Sequence, residues 1–320
     1  MNFNQGLINL GSTCSINSLI QIICRNTKLR ECILNSTNIP EKSFTSELKE
    51  ILNLMHNENK SLSPNKFINY FYNTFSNIFT RGEQLDINEL WYFIIDKISN
   101  EISIPYEISN NISNLNDEHN LTIAKYNNFK TSNWLDLIQG SIINIIECKL
   151  CNNKTYNFEP FTSIPLDIIN NNNPSIIDML SNYLKIEERT CDDWKCEKCN
   201  IKTNYMKTSK LWKTPSVLCF VIKRFNDFNK KNNNNIQTNT NLIFKKGSVF
   251  SENDDITFNL SSIGLHHGIL QGGHYTSICN INNNYVHYDD NNINILNEND
   301  INNIINSNNL GYLIIYEKAN

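Results

Sequence analysis

No apolar run in this 320-residue chain approaches the ~18–20 residues needed to cross a bilayer. The opening stretch, MNFNQGLINL, has no charged segment leading into an apolar one, so no secretory leader is expected. Basic residues form no stripe. There are 28 Lys and Arg against 32 Asp and Glu, for a net charge of −4, which argues against a nucleic-acid partner. A mildly acidic surface would suit a basic protein partner. These absences point to a soluble protein of the cell interior, with neither membrane nor nucleic acid as partner; a monomer is expected, in the cytoplasm with the nucleus as the alternative. Its ten cysteines would then be mostly reduced, and paired cysteines would suggest a metal before a disulfide.

Asn and Ile are abundant instead, with runs such as NNNN at 232–235. This bias dilutes pattern signals, and it makes glycosylation-type triplets such as the one at Asn35 chance matches. Helical periodicity is nonetheless clear over 16–24, 46–55, 65–79 and 87–98. In the third of these, Phe67, Phe71, Phe75 and Phe79 recur every four residues, which reads as core packing. After about residue 140 the texture becomes short β-branched and aromatic segments, among them SIINIIECKL, SVLCFVIKRF, HYTSICNI and GYLIIYEK. ICNINNNYVHY reads as a hairpin with an Asn-rich turn. Residues 226–242 and 107–120 read as low-complexity mobile segments. The class is α+β, a helical lobe followed by a mostly antiparallel β lobe.

Cys148 and Cys151 form one C-x2-C pair, and Cys196 and Cys199 form another. The ligand type and spacing fit a tetrahedral four-thiolate zinc site of structural kind. Free thiols or a redox pair are the alternatives, and Cys191 complicates the choice of ligands. The matched spacing of the two pairs favours Cys148, Cys151, Cys196 and Cys199.

Cys14 follows a Gly-Ser-Thr turn at the start of an apolar helix, where the helix dipole favours a thiolate. Far along the chain, two glycines precede His274, and YVHYDDNN brings Asp289 and Asp290 to the end of the next strand. A lone cysteine or histidine is usually structural. Together, Cys14, His274 and Asp289 supply nucleophile, base and orienter in the manner of a cysteine-protease triad.

GLINLGSTCSINSLIQ resembles the cysteine box of the ubiquitin-specific proteases, G-L-x-N-L-G-N-T-C-Y-M-N-S-x-L-Q. GEQLDINELWYFIIDKI resembles their Q-Q-D-A-x-E-F segment. HHGILQGGHYTSICNINNNYVHYDD with GYLIIYEK resembles the histidine box and closing strand. TPSVLCFVIKRF resembles their P-x-x-L-x-x-x-x-K-R-F strand, and the two cysteine pairs fall where that family's zinc fingers do. The likeness runs over about 5–317 in the family's order.

The resemblance implies a papain-like fold in a single catalytic domain (1–320), with a helical thumb over about 1–130, zinc-binding β fingers over 141–215 and a β palm over 216–320. It implies a thiol-dependent hydrolase that cleaves the isopeptide or peptide bond after the C-terminal glycine of ubiquitin, with a thioester on Cys14, His274 as base and Asp289 as orienter. Asp290 is a weaker candidate for a supporting role. Asn9 matches the oxyanion-hole amide. Asp86 matches an acid that binds the ubiquitin tail, although it also reads as a helix cap with Glu89. Gly272, Gly273 and Tyr275 fall in the substrate channel. His266 matches a position beside the cleft, and His287 is expected to face solvent.

Ser15 replaces an aromatic, which puts one packing contact near the tail in doubt. Ser12 and Ile16 replace Asn and Met, changes expected to be mild. The 226–242 segment falls where the family's blocking loops lie. Ubiquitin and its conjugates are the implied partners and structural zinc the implied cofactor. The rivals are a ubiquitin-binding pseudo-enzyme, a protease for another ubiquitin-like modifier and, more weakly, an acyl- or glutamyl-transferase.

Overall fold

The computed structural model describes residues 5–57, 61–108, 111–189, 194–225, 230–249, 253–269 and 272–319. The periodic segments of the first third become helices. Helix α1 (Cys14–Arg25) is buried along its whole length, because it runs between other helices and a large sheet. Several of its polar residues find partners internally: Gln21 Nε2 donates to the Gln5 carbonyl at 2.7 Å, and Arg25 lies over the Tyr288 ring. Around α1 stand α2 (Thr27–Asn35), α3 (Phe44–Asn57), α4 (Asn65–Thr74) and α5 (Ile87–Ile102). Helix α4 stops at Thr74, short of the expected 79, yet Phe75 and Phe79 stay in the stripe, with the Phe71 and Phe79 rings stacked 5.7 Å apart.

Strand β1 (Ile104–Pro105) pairs with β2 (Lys130–Thr131), and between them lies α6 (Leu115–Tyr126). That helix occupies part of the 107–120 segment expected to be mobile. Asn114 starts it by accepting the N–H groups of Asn116 and Asp117, so Asn serves here as a helix cap rather than as disordered filler. Short α7 (Asn133–Ile138) then leads into the β region.

The chain next runs through β3 (Gly140–Cys148), β4 (Lys154–Phe161), β5 (Ile164–Asp167), α8 (Ile176–Tyr183), β6 (Glu187–Arg189), β7 (Tyr205–Lys213), β8 (Val217–Lys223), β9 (Asn241–Phe244), β10 (Ile256–His267), β11 (His274–Ile281), β12 (Asn284–Asp289), β13 (Asn292–Ile295), α9 (Glu298–Asn306) and β14 (Gly311–Lys318). Strands β4-β3-β7-β6 make a four-stranded antiparallel sheet. The larger sheet runs β13-β12-β11-β10-β14-β8-β5, with β9 also on β10. Strand β5 lies inside the 141–215 span yet joins this larger sheet, in parallel with β8.

Alternation along the strands gives the larger sheet two buried faces. On β8, Val217, Cys219 and Val221 pack toward the helices, while Leu218, Phe220 and Ile222 pack toward α8 and α9. The β11–β12 hairpin is closed by Asn282 and Asn283, both left-handed (φ 52° and 66°), the geometry of a type I′ turn.

The 226–242 segment departs from expectation. Residues 226–229 lie outside the described residues, as does Cys191. From residue 230 onward the segment is tied down. The fully buried Arg224 donates to the carbonyls of Asn232 and Asn234 at 3.0 Å, of Asn308 at 2.9 Å and of Gly311 at 2.6 Å. Ile236 and Thr238 are buried. A guanidinium forced out of water must use all its donors, and here it uses them to clamp the loop. Among the described residues, no helix is long and apolar enough to cross a membrane.

Candidate active site

The turn before α1 is built by Gly11 (φ 93°) and Ser12 (φ 53°), which throw the chain back so that the helix starts at Cys14. Ser12 therefore sits in the left-handed region that Asn tolerates far better, so its departure from the family pattern carries a backbone cost. Cys14 is only 3% exposed. Burial pushes its thiol up, with the nearby Asp290 charge acting the same way, against the pull of the backbone N–H groups of Tyr275 and Ser15. The helix start alone does not make it a thiolate. Ser15 is buried too, and its hydroxyl has no protein partner.

His274 opens β11 and Asp289 closes β12, so the hairpin register brings them together. His274 Nε2 lies 2.6 Å from Asp289 Oδ1, and both side chains are 40% exposed. Cys14 meets this pair through the amide of Tyr275, the residue after His274. No hydrogen bond joins the Cys14 sulfur to the His274 ring among the described contacts.

Asp290 has left-handed backbone (φ 51°), and its carboxylate turns toward the α1 turn. It accepts from Asn9 Nδ2 at 2.9 Å and from Asn17 Nδ2 at 2.8 Å. Asn9 Oδ1 in turn accepts the N–H groups of Gly11 and Thr13 at 3.0 and 3.2 Å. The Asn9 carboxamide is thus held on both sides and shaped by the turn that presents Cys14.

Asp86 does cap α5: Oδ1 accepts from Asn88 N–H at 2.8 Å and Glu89 N–H at 3.2 Å. Its other oxygen accepts from the Tyr312 hydroxyl at 2.8 Å and the Tyr275 hydroxyl at 3.3 Å. Desolvation pushes both phenols well above their usual range. Gln84 Oε1 accepts the Gly273 N–H at 2.9 Å. The 84–86 segment is therefore bonded to β11, to β14 and to the loop before His274. Gly273 has no room for a side chain, since a Cβ would lie 2.1 Å from His266 Nε2. Gly272 is exposed and would meet only the Ile269 side chain at 3.7 Å, so only Gly273 is sterically required.

Sequence reasoning missed one neighbour of the base, His267, and turned another, His287, the wrong way. His267 pairs directly with His274 across β10–β11. His287 does not face solvent; it is half-buried and its Nε2 is sealed from water. The period-two pattern was the available signal, but only the register of three strands shows that these rings share a face. His266, on the opposite face, is 1% exposed, with its ring 4.6 Å from that of Tyr275.

At the other end of the molecule the two C-x2-C turns have the same geometry. Asn152 and Asn200, each just after the second cysteine, are left-handed (φ 54° and 57°) and donate to the carbonyls of Cys148 and Cys196 at 2.9 and 2.8 Å. The sulfurs of Cys148 and Cys199 are 3.9 Å apart, those of Cys151 and Cys196 are 3.6 Å apart, and all four lie within 4.8 Å of one another. A tetrahedron with bonds of about 2.3 Å has edges of about 3.8 Å, whereas a disulfide would need about 2.05 Å. Backbone N–H groups, chiefly that of Cys199, pull the Cys196 thiol down to about 7. The four cysteines fit a single metal ion.

A family model described as ubiquitin carboxyl-terminal hydrolase matches residues 5–316. Ubiquitin carboxyl-terminal hydrolase 8 of Saccharomyces cerevisiae is 26% identical over 310 residues, spanning 86% of this chain and 63% of that protein. Ubiquitin carboxyl-terminal hydrolase 4 of the same yeast is 25% identical over 331 residues, spanning 87% of this chain and 35% of that one. The chain thus spans about two-thirds and one-third of these relatives. Among solved structures, a SAGA DUB module bound to monoubiquitin superposes with a TM-score of 0.77 at 22% identity, covering 98% of this chain and 69% of its own. A yeast SAGA DUB module gives 0.77 at 24% identity, covering 98% and 68%. These two share the fold. With the cysteine turn, the histidine hairpin and the four-cysteine cluster all falling inside the matched span, the chain belongs to the ubiquitin carboxyl-terminal hydrolase family.

Proposed function

We propose that this chain is a cysteine-type deubiquitinase that hydrolyses the isopeptide or peptide bond after the C-terminal glycine of ubiquitin. The observation that carries this reading is the 2.6 Å contact between His274 Nε2 and Asp289, next to the buried sulfur that opens α1. Asp289 fixes the ring so that its other nitrogen is free to take the thiol proton. Cys14 then attacks the carbonyl and a thioester forms, while His274 protonates the leaving lysine amine. Water, activated by His274, releases ubiquitin. The Asn9 amide has one N–H committed to Asp290 and a second available for the oxyanion.

The ubiquitin tail enters between the 84–86 segment and the loop before His274, and displaces Gln84 from the Gly273 amide. The thumb, fingers and palm are about residues 1–130, 141–215 and 216–320, with the eight-stranded sheet, which takes in β5 from the 141–215 span, as the palm's floor. Cys148, Cys151, Cys196 and Cys199 would hold zinc, which supplies a closed cross-link between the two turns rather than chemistry. The partners are ubiquitin and its conjugates, and the chain acts in the cytoplasm or nucleus as a monomer.

The binding-only reading draws on the resting thiol, which is protonated and not bonded to the ring. Turnover of a ubiquitin C-terminal fluorogenic amide separates the two. Catalysis that disappears in Cys14→Ala is expected. Tight binding with no turnover at any enzyme concentration would leave only the pseudo-enzyme.

A further inference from the structure

Three imidazoles share one face of the sheet beside a single carboxylate. His267 on β10 stands directly opposite His274 on β11, with ring centroids 6.5 Å apart. His287 on β12 stands opposite Ile278, which is four residues along β11 from His274 and so on the same face. It also lies two residues before Asp289, on that carboxylate's side of the strand. His267 Nε2 has only a long contact, 3.4 Å, to Thr276 Oγ1, and His287 Nε2 is buried with no protein partner.

The charges that reach this group are few. Asp289 is bonded to His274, Lys231 adds a positive charge toward His267, and the oxygens of Asp290 are already taken by Asn9 and Asn17. One carboxylate offsets one imidazolium; a second cation on this face would stand uncompensated and half-buried.

Resting on the deubiquitinase reading, we propose that His267 and His287 are positioning residues for the base: as neutral rings beside the His274–Asp289 pair they leave Asp289 to His274 alone, and their protonation in acid removes that arrangement, so activity falls with uptake of more than one proton. Burial and the neighbouring imidazoles hold both rings below the usual histidine range, which keeps them neutral near pH 7. The direction follows from charge. A cation beside His274 disfavours its imidazolium, the form that must accompany the Cys14 thiolate, so activity is lost as pH falls.

The test is the acid limb of kcat/KM between about pH 5 and 8 for the wild type, His267→Asn, His287→Gln and the double variant, with folding checked by circular dichroism. In the wild type the limb should be steeper than one proton. In the double variant it should relax to one proton. Identical limbs in wild type and double variant would overturn the proposal. Histidine ring NMR provides a second measurement that needs no turnover: in the wild type the His267 and His287 rings should take up their protons across the same acid limb, and rings that stay neutral through it contradict the proposal. A wild type that titrates as expected but never cleaves ubiquitin would sink the deubiquitinase reading and leave the coupling of the three rings intact.

Discussion

The chain gathers cysteine chemistry at two places, and they are assembled differently. At the fingertip, four sulfurs come from two local turns of identical form and already stand at the spacing of a tetrahedron. At the candidate active site, one sulfur and one imidazole come from opposite ends of the chain; the imidazole meets its carboxylate, but the sulfur is not bonded to the ring. The first site needs only a metal to close it. The second is left one hydrogen bond short, the bond between the Cys14 sulfur and the His274 ring that the proposed mechanism needs. A structural site gains from being finished in advance, and a reactive thiol gains from staying protonated until substrate arrives.

Removing the metal should produce the largest effect. Cys196→Ser, or a strong chelator, should abolish stoichiometric zinc and unfold the four-stranded sheet's tip, since such sites supply on the order of 10 kcal/mol of local order. Elemental analysis with hydrogen exchange over 148–152 and 196–202 checks this; an unchanged protection pattern would erase the contrast between the two sites. Next comes Asn9→Ala, which should lower kcat by about 10²–10³ with little change in KM, measured in single-turnover assays. A change confined to KM would move Asn9 from the oxyanion to substrate binding.

Acid should also act on the fold. Burial holds His266 down to about 4. The unfolded chain takes up that proton near pH 6.5 and the folded one does not, so stability is full above about pH 6.5 and drains as pH falls toward 4. A drop of a few degrees in Tm across that window is expected, and a flat profile would contradict the burial. The smallest effect is expected from Ser12→Asn, which should stabilise by on the order of 0.5–1 kcal/mol in urea melts by relieving left-handed strain.

What was legible in the sequence depended on how local the signal was. The C-x2-C pairs, the Asn-closed hairpin and the Phe stripe are short-range patterns, and each is found where it was expected. Helix α6 was hidden because its polar residues run all round and its start rests on an Asn, the residue that also fills loops. The clamp on 230–238 was hidden because Arg224 gathers carbonyls from two separate segments, 232–234 and 308–311. The protonated state of Cys14 was misread for a related reason. The helix start is visible in sequence, whereas the burial that outweighs it depends on the whole fold. His267 and His287 needed strand register, which no single strand's pattern contains.

The most direct test is peptide mapping after reaction with a ubiquitin whose C-terminus carries a thiol-reactive electrophile. One adduct should form, on Cys14, at a rate cut severely by Asp289→Ala and with the four fingertip cysteines untouched. Labelling elsewhere, or a Cys14 adduct formed equally fast without Asp289, would contradict the assignment of Cys14, His274 and Asp289 as one catalytic unit.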